Sequence, residues 1–224
     1  MAKNNIENIS GCFKNLPPED IAFLSENKIQ VSYLKGENIF KQGAFAPHVL
    51  FVNKGLATVY LQVGKSKRIN ISIAQPGDFI AFSSLFEHKT YSYSALSLSD
   101  STYCMIEKEA LRTVILRNSD FAMQMATKNN LNESRYIDII KNLSYKQMRG
   151  KLASAILYLC AERFQEHNIF QFLSRQDIAD FASITVESTV KFLKEFEKDQ
   201  LITLDGKAII IKDEKALKEL DLRG

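Results

Sequence analysis

Cysteine is scarce in this chain of 224 residues, and what there is lies scattered at Cys12, Cys104 and Cys160. Three separated thiols suit a reducing compartment and exclude a disulfide framework. No C-x-x-C pair exists, so neither a zinc knuckle nor an iron–sulfur cluster is expected. His48, His88 and His167 form no H-x-H or H-x-x-x-H pair, and no metal site is predicted. There is no run of 18 apolar residues and no basic leader before an apolar segment. The chain therefore reads as cytoplasmic, with no membrane partner. The net charge of +3 permits a polyanionic partner without demanding one. The content, 46% apolar and 25% charged, is that of a globular chain long enough to bury a core without disulfides or metals.

Proline is absent after Pro76, and glycine is absent between Gly77 and Gly150. The earlier glycines, Gly36, Gly43, Gly55, Gly64 and Gly77, have the spacing of turns between short antiparallel strands. Between them lie β-branched or alternating runs: "VLFV" (49–52), "ATVYLQV" (57–63) and "INISIA" (69–74). "YSYSALSL" (91–98) and "TYCMI" (102–106) follow. These predict a small β-barrel or β-sandwich of roughly 100 residues. The turn stretch "PGDFIAFSSLF" (76–86) offers backbone N–H groups and the hydroxyls of Ser83 and Ser84, features that can hold a phosphate.

From about Asn118 the apolar period becomes helical, with Ser119 as the expected N-cap. Phe121, Met125, Leu131 or Asn132, Arg135 or Tyr136, Ile139 and Leu143 form a narrow stripe. Such a stripe predicts a two-stranded coiled-coil seam; packing of the helix on its own barrel is the alternative. "YKQMRGKLASAILYLCAERF" (145–164) predicts an amphipathic helix with Met148, Leu152, Ile156, Leu159 and Cys160 on one face.

Residues 172–213 carry the functional signal. Ser174 and Asp177 have capping-box spacing before Ile178, Phe181 and Ala182. After a break at 182–185, Thr185 caps a second helix over 185–198. Its buried face would be Val186, Thr189 or Val190, Leu193 and Phe196; its exposed face would be Glu187, Ser188, Lys191, Lys194 and Glu195. "LITL-DG-KAIII" predicts a hairpin with a type I′ turn. Helix, tight turn, helix and hairpin make a winged helix-turn-helix whose second helix can enter a DNA major groove. Ser174, Arg175 and Gln176 at the start of the first helix, and Lys207 at the hairpin tip, would reach phosphates. Residues 144–224 hold 13 basic and 13 acidic side chains, a net charge of zero. Phosphate neutralisation must then come from a local face of Arg175, Lys191, Lys194 and Lys207.

"LSRQDIADFASITVESTVKFLKEFEKDQLI" closely resembles the helix-turn-helix of the Crp/Fnr family of bacterial transcription regulators. "YLKGENIFKQG" (33–43), "HVLFVNKGLATVY" (48–60) and "PGDFI" (76–80) resemble that family's β-roll in order. The resemblance implies an α+β chain: a cyclic-nucleotide-binding-like β-roll of the jelly-roll type over 1–117, a dimerisation helix over 118–143, and a winged helix-turn-helix over 144–224. It implies a homodimeric regulator rather than an enzyme, reading a pseudo-palindrome in double-stranded DNA, with RNA polymerase as a further partner. "TVES" followed by Lys191 is similar to the Fnr branch, whose pattern is Thr-Val-Glu-Thr-x-Ser-Arg. Glu187 would then accept from a cytosine N4, and Lys191 would face a guanine without the arginine's fork. Val190 stands where that branch has serine.

In family members that bind cyclic AMP, a glutamate follows the "GDFI" turn and an arginine lies about ten residues on. Here Phe82 and Tyr93 occupy those places, which argues against cyclic AMP or cyclic GMP in the usual mode. With Cys12 the only cysteine near the N-terminus, a [4Fe–4S] cluster is rejected. Haem would need a lone His48, His88 or a Met as axial ligand, and no cofactor is predicted. Phe82, Ser83, Ser84, Tyr91, Tyr93 and Ser94 form a candidate pocket for an unknown small-molecule effector, or one filled by its own side chains. A barrel enzyme of the cupin type would need clustered metal-binding His and Glu residues, which are missing. The rival reading is a metabolite-binding or protein-docking module that has lost specific DNA binding.

Overall fold

The computed structural model describes Phe13 and residues 16–64, 67–86 and 89–223; for 130–132 it describes the backbone alone. Cys12 and His88 lie outside the described residues. The chain divides into two compact units, Met1–Ser66 with Ser72–Ser134, and Lys67–Ile71 with Arg135–Gly224.

Two four-stranded sheets lie in the first unit, except that Lys67–Ile71 of one edge strand group with the second unit. One has the order β1 (Lys28–Tyr33), β8 (Ser101–Glu107), β3 (His48–Lys54), β6 (Phe79–Ile80). The other runs β2 (Asn38–Phe40), β7 (Ser94–Ser97), β4 (Ala57–Val63), β5 (Lys67–Ala74). Strand β3 pairs antiparallel with both β6 and β8, setting Phe51 opposite Phe79 on one side and Cys104 on the other. Its residues Val49 to Val52 are all buried, so both faces of this strand are covered. The turn from β3 to β4 needs glycine. Gly55 has φ +85°, and a Cβ there would lie 2.2 Å from Ser101 Oγ and 2.7 Å from the Asp100 carbonyl.

Helix α1 (Pro18–Glu26) and helix α2 (Lys108–Arg117) complete the unit's core with the start of α3 (Ser119–Ser144). Leu24, Ala110, Leu111, Val114, Phe121 and Met125 pack with Val49, Phe51, Cys104 and Ile106 in one cluster. The Phe13 ring joins it, 5.2 Å from Phe51 and 5.7 Å from Phe121, centroid to centroid.

Three sequence expectations are corrected here. Asn118, not Ser119, caps α3: its Oδ1 accepts the Phe121 N–H at 2.9 Å. The expected coiled-coil stripe is divided. Phe121, Met125 and Arg135 are buried against their own chain, as in the alternative of a helix packed on its own barrel, whereas Tyr136 and Leu143 of the same stripe lie open and Ile139 is half-buried. The outward face adds Met123, Ile137 and Ile140, each more than two-fifths exposed. The helix expected over 145–164 is only α4 (Met148–Leu159). It ends at Cys160, and two 3-10 turns follow, Glu162–His167 and Ile169–Gln171, joined through Asn168 at φ 41°. Leu152, Ile156 and Leu159 are buried as expected, whereas Met148, at the helix's first turn, is half exposed.

The rest of the second unit is α5 (Arg175–Ala182), α6 (Val186–Lys198), β9 (Ile202–Asp205), β10 (Ala208–Ile211) and α7 (Glu214–Arg223). Helix α7 packs on α4 with Leu217 fully buried, and Lys146 Nζ, itself buried, meets Asp221 Oδ1 at 2.5 Å.

Candidate nucleic-acid interface

Two short helices and a hairpin form the candidate interface. Helix α5 starts with a complete capping box: Ser174 Oγ accepts the Asp177 N–H, and the Asp177 carboxylate accepts the Ser174 N–H at 2.8 Å. Ser183 ends it in the left-handed conformation at φ 55°, which turns the chain sharply. Thr185 then caps α6, its hydroxyl accepting the Ser188 N–H at 3.2 Å. Thr189, Leu193 and Phe196 are buried behind α6, while Val190 is exposed, which settles the choice between Thr189 and Val190. Glu187, Val190, Lys191 and Lys194 lie on the open face at the i, i+3, i+4, i+7 spacing of one helical side. Ser188 and Glu195, expected fully open, are half-buried.

Helix α6 also sets the chemistry of Glu187. Its own backbone N–H and the Thr185 hydroxyl hold its carboxyl below the usual range. It is thus a constant acceptor, suited to an exocyclic amine of a base.

The hairpin pairs Asp205 with Ala208, so Gly206 and Lys207 form its tip. Only Gly206 has positive φ, at 57°. A type I′ turn requires positive φ at both central positions, so that expectation is corrected. Lys207 Nζ donates to the Gln171 carbonyl at 3.4 Å, and Arg175 Nη2 to the Gly206 carbonyl at 3.3 Å. These contacts bring Arg175 and Lys207 to one edge, at the start of α5. Gln176 instead gives its amide to Asp180 Oδ1 at 2.7 Å.

Two arginines with no signal in the sequence organise the same unit. Arg68 bonds Asp177 at 2.6 Å and Asp180 at 2.5 Å, so the capping carboxylate of α5 is also neutralised. Arg149, near the start of α4, bonds Glu195 at 2.7 Å and Asp199 at 3.1 Å. Arg68 and Asp177 are 109 residues apart, beyond any local pattern.

In the first unit, the six candidate effector residues are mostly engaged. The Ala81 N–H donates to Tyr93 Oη at 2.8 Å. Ser84, buried, donates to the Ala81 carbonyl at 2.7 Å, and Ser94 Oγ accepts the Gln42 N–H at 3.0 Å. The Tyr91 ring stacks 4.2 Å from Phe40. Phe82 packs edge-on against Phe86 at 5.8 Å, and Ser83 is half-buried. Among the described residues no group of three His, Cys, Asp or Glu side chains could hold a metal ion. No described helix is long and apolar enough to cross a membrane.

A β-roll followed by a winged helix-turn-helix defines a class, the DNA-binding regulator with an N-terminal sensor-type domain. Known proteins agree. Residues 30–118 match the cyclic nucleotide-binding domain, and residues 150–220 match the Crp-like helix-turn-helix domain. The chain is 22% identical over 213 residues to a CRP-like cAMP-activated global transcriptional regulator of Mycobacterium tuberculosis, covering 93% of this chain and 95% of that one. It is 25% identical over 191 residues to the fumarate and nitrate reduction regulatory protein of Escherichia coli, covering 83% and 76%. Its fold matches that of FixK2 from Bradyrhizobium japonicum with a TM-score of 0.76, at 19% identity, over 87% of this chain and 97% of that one. The chain belongs to the Crp/Fnr family and is a DNA-binding transcription regulator of that type.

Proposed function

We propose that the chain works in the cytoplasm as a homodimer that sets α6 of each copy into successive major grooves of a pseudo-palindromic operator, with RNA polymerase as a further partner. The open face of α6 carries this reading: Glu187, Lys191 and Lys194 stand exposed while Thr189, Leu193 and Phe196 hold the helix from behind. Glu187 would accept from a cytosine N4, and Lys191 would donate to the guanine edge. Ser174, Arg175, Gln176, Thr185, Ser188 and Lys207 would line the phosphate backbone. Selection from a random duplex pool tests this. The expected result is an enriched pseudo-palindrome with half-sites about 10 bp apart, centre to centre. No enrichment would favour the docking-module reading instead.

The β-roll works without a cyclic nucleotide in the usual mode. Phe82 and Tyr93 supply neither the carboxylate nor the guanidinium, and Tyr93 is already the acceptor for the Ala81 N–H. A cyclic phosphate there lacks a charge-assisted bond worth roughly 1.5–3 kcal/mol. Calorimetry with cyclic AMP should detect no binding below millimolar concentration; a micromolar constant would overturn this. An effector, if the roll takes one, is a small apolar or aromatic molecule lodged beside Phe82 and Ser83, and no cofactor is needed. Mass spectrometry of natively purified protein checks for such a molecule.

A further inference from the structure

We infer that Arg149 is a positioning residue for DNA recognition: it occupies Glu195 and thereby leaves Lys191 available to DNA. The inference rests on the DNA-reading role proposed for α6. Arg149 donates from Nη1 to Glu195 Oε2 at 2.7 Å and from Nη2 to Asp199 Oδ2 at 3.1 Å. Its Cζ lies 5.3 Å from the centroid of the buried Phe196 ring, between those two acids in sequence. The planar guanidinium thus spans one turn of α6, a geometry that a lysine point charge cannot copy.

Glu195 has a second suitor. Its Oε1 is 4.0 Å from Lys191 Nζ, at the i, i+4 spacing. Lys191 is 69% exposed and lies on the face offered to DNA. An ion pair within α6 would compete with any base or phosphate for that ammonium. Arg149 shifts the balance because it holds the other carboxylate oxygen at hydrogen-bond distance. Its single positive charge also offsets one of the two negative charges, Glu195 and Asp199, on a helix that must approach phosphates. The C-terminal end of α6 is held to α4 through the same fork.

A set of variants binding two duplexes tests this: the sequence enriched from a random pool, and a 30-bp duplex of scrambled sequence. Arg149→Gln should weaken binding to the enriched duplex roughly tenfold, the size typical of coupled contacts, and Arg149→Lys should restore part of the loss. Glu195→Gln in the Arg149→Gln background should recover most of the affinity, since it frees Lys191 directly. Lys191→Ala should cost less in the Arg149→Gln background than in the wild type, because Lys191 is already diverted. A merely structural role would lower the melting temperature and leave these couplings at zero. Wild-type affinity in Arg149→Gln, or strict additivity with Glu195→Gln and Lys191→Ala, would overturn the inference while the DNA-reading role stood. A wild-type protein that binds neither duplex would overturn both.

Discussion

Glu187 and Cys160 show how one helix end or one buried patch sets the chemistry of a side chain. Glu187 sits in the first turn of α6, where free N–H groups favour an anion. Its carboxyl is held down by its own N–H and by Thr185, so it stays ionised through neutral pH and can only accept. Glu187→Ala should relax discrimination at one base pair per half-site by about 1–3 kcal/mol; binding to duplexes altered at each position in turn reads this out. Unchanged preference everywhere would remove Glu187 as a reader. Cys160 shows the opposite shift. Burial pushes its thiol up to about 11, and its Sγ faces the Ile209 carbonyl at 3.6 Å. The folded thiol therefore holds its proton at pH values where the unfolded one, near 9, has lost it. Stability from this group is complete below about pH 9 and declines as pH rises towards 11, by at most roughly 3 kcal/mol over those two units. Chemical denaturation of wild type and Cys160→Ala between pH 8 and 11 should show a steeper loss of stability with pH in the first than in the second, which keeps the slope of Cys104 and the buried tyrosines. The same protonation makes Cys160 slow towards thiol reagents in the folded state.

Caps and turns, not propensity, fix the helix-turn-helix at the scale of the element. Ser174 closes a capping box, and Thr185 caps α6. Thr185→Ala should cost about 1 kcal/mol of stability, read as a lower denaturation midpoint, while Thr185→Ser should cost little. Equal losses in both would mean the methyl group, not the hydroxyl, does the capping. These elements were legible because their signals are local: a Ser-x-x-Asp, a Thr before an apolar period, an Asp-Gly between apolar runs. The strands from β3 to β5 were legible for the same reason, each bounded by a glycine turn. Legibility failed where distant residues decide. Helix α2 is short and polar on most sides, and only the sheet behind Ala110, Leu111 and Val114 makes its inner face visible. Lys207 was read at the hairpin tip, but the turn type depended on its φ, which the Asp-Gly pair does not control. Arg68 and Arg149 were invisible because a lone arginine carries no period, and their acidic partners lie far along the chain.

The proposed homodimer is a property of the whole molecule, and the open face of α3 is its candidate seam. Phe121 and Met125 serve the core of the first unit and are only 2% and 3% exposed, so they are unavailable to a second copy. Among the apolar side chains left open are Met123, Ile137 and Ile140, at 68%, 47% and 61% exposure. Met123 and Ile137 are two heptads apart, and Ile140 follows three residues later, the a-to-d step of a coiled coil. A monomer would leave these side chains in water at about 25 cal/mol for each Å² of apolar area; pairing two copies along this stripe removes them from it. Ile140→Glu places like charges opposite each other across such a seam and should shift sedimentation from dimer to monomer. Phe121→Ala should instead lower the melting temperature through a core cavity costing about 3–5 kcal/mol, with the oligomeric state of the folded fraction unchanged. Operator binding should follow the first variant, because a single α6 reads one half-site and loses the linked second contact. An Ile140→Glu protein that remains dimeric would place the seam elsewhere, on a face that includes neither Ile137 nor Ile140.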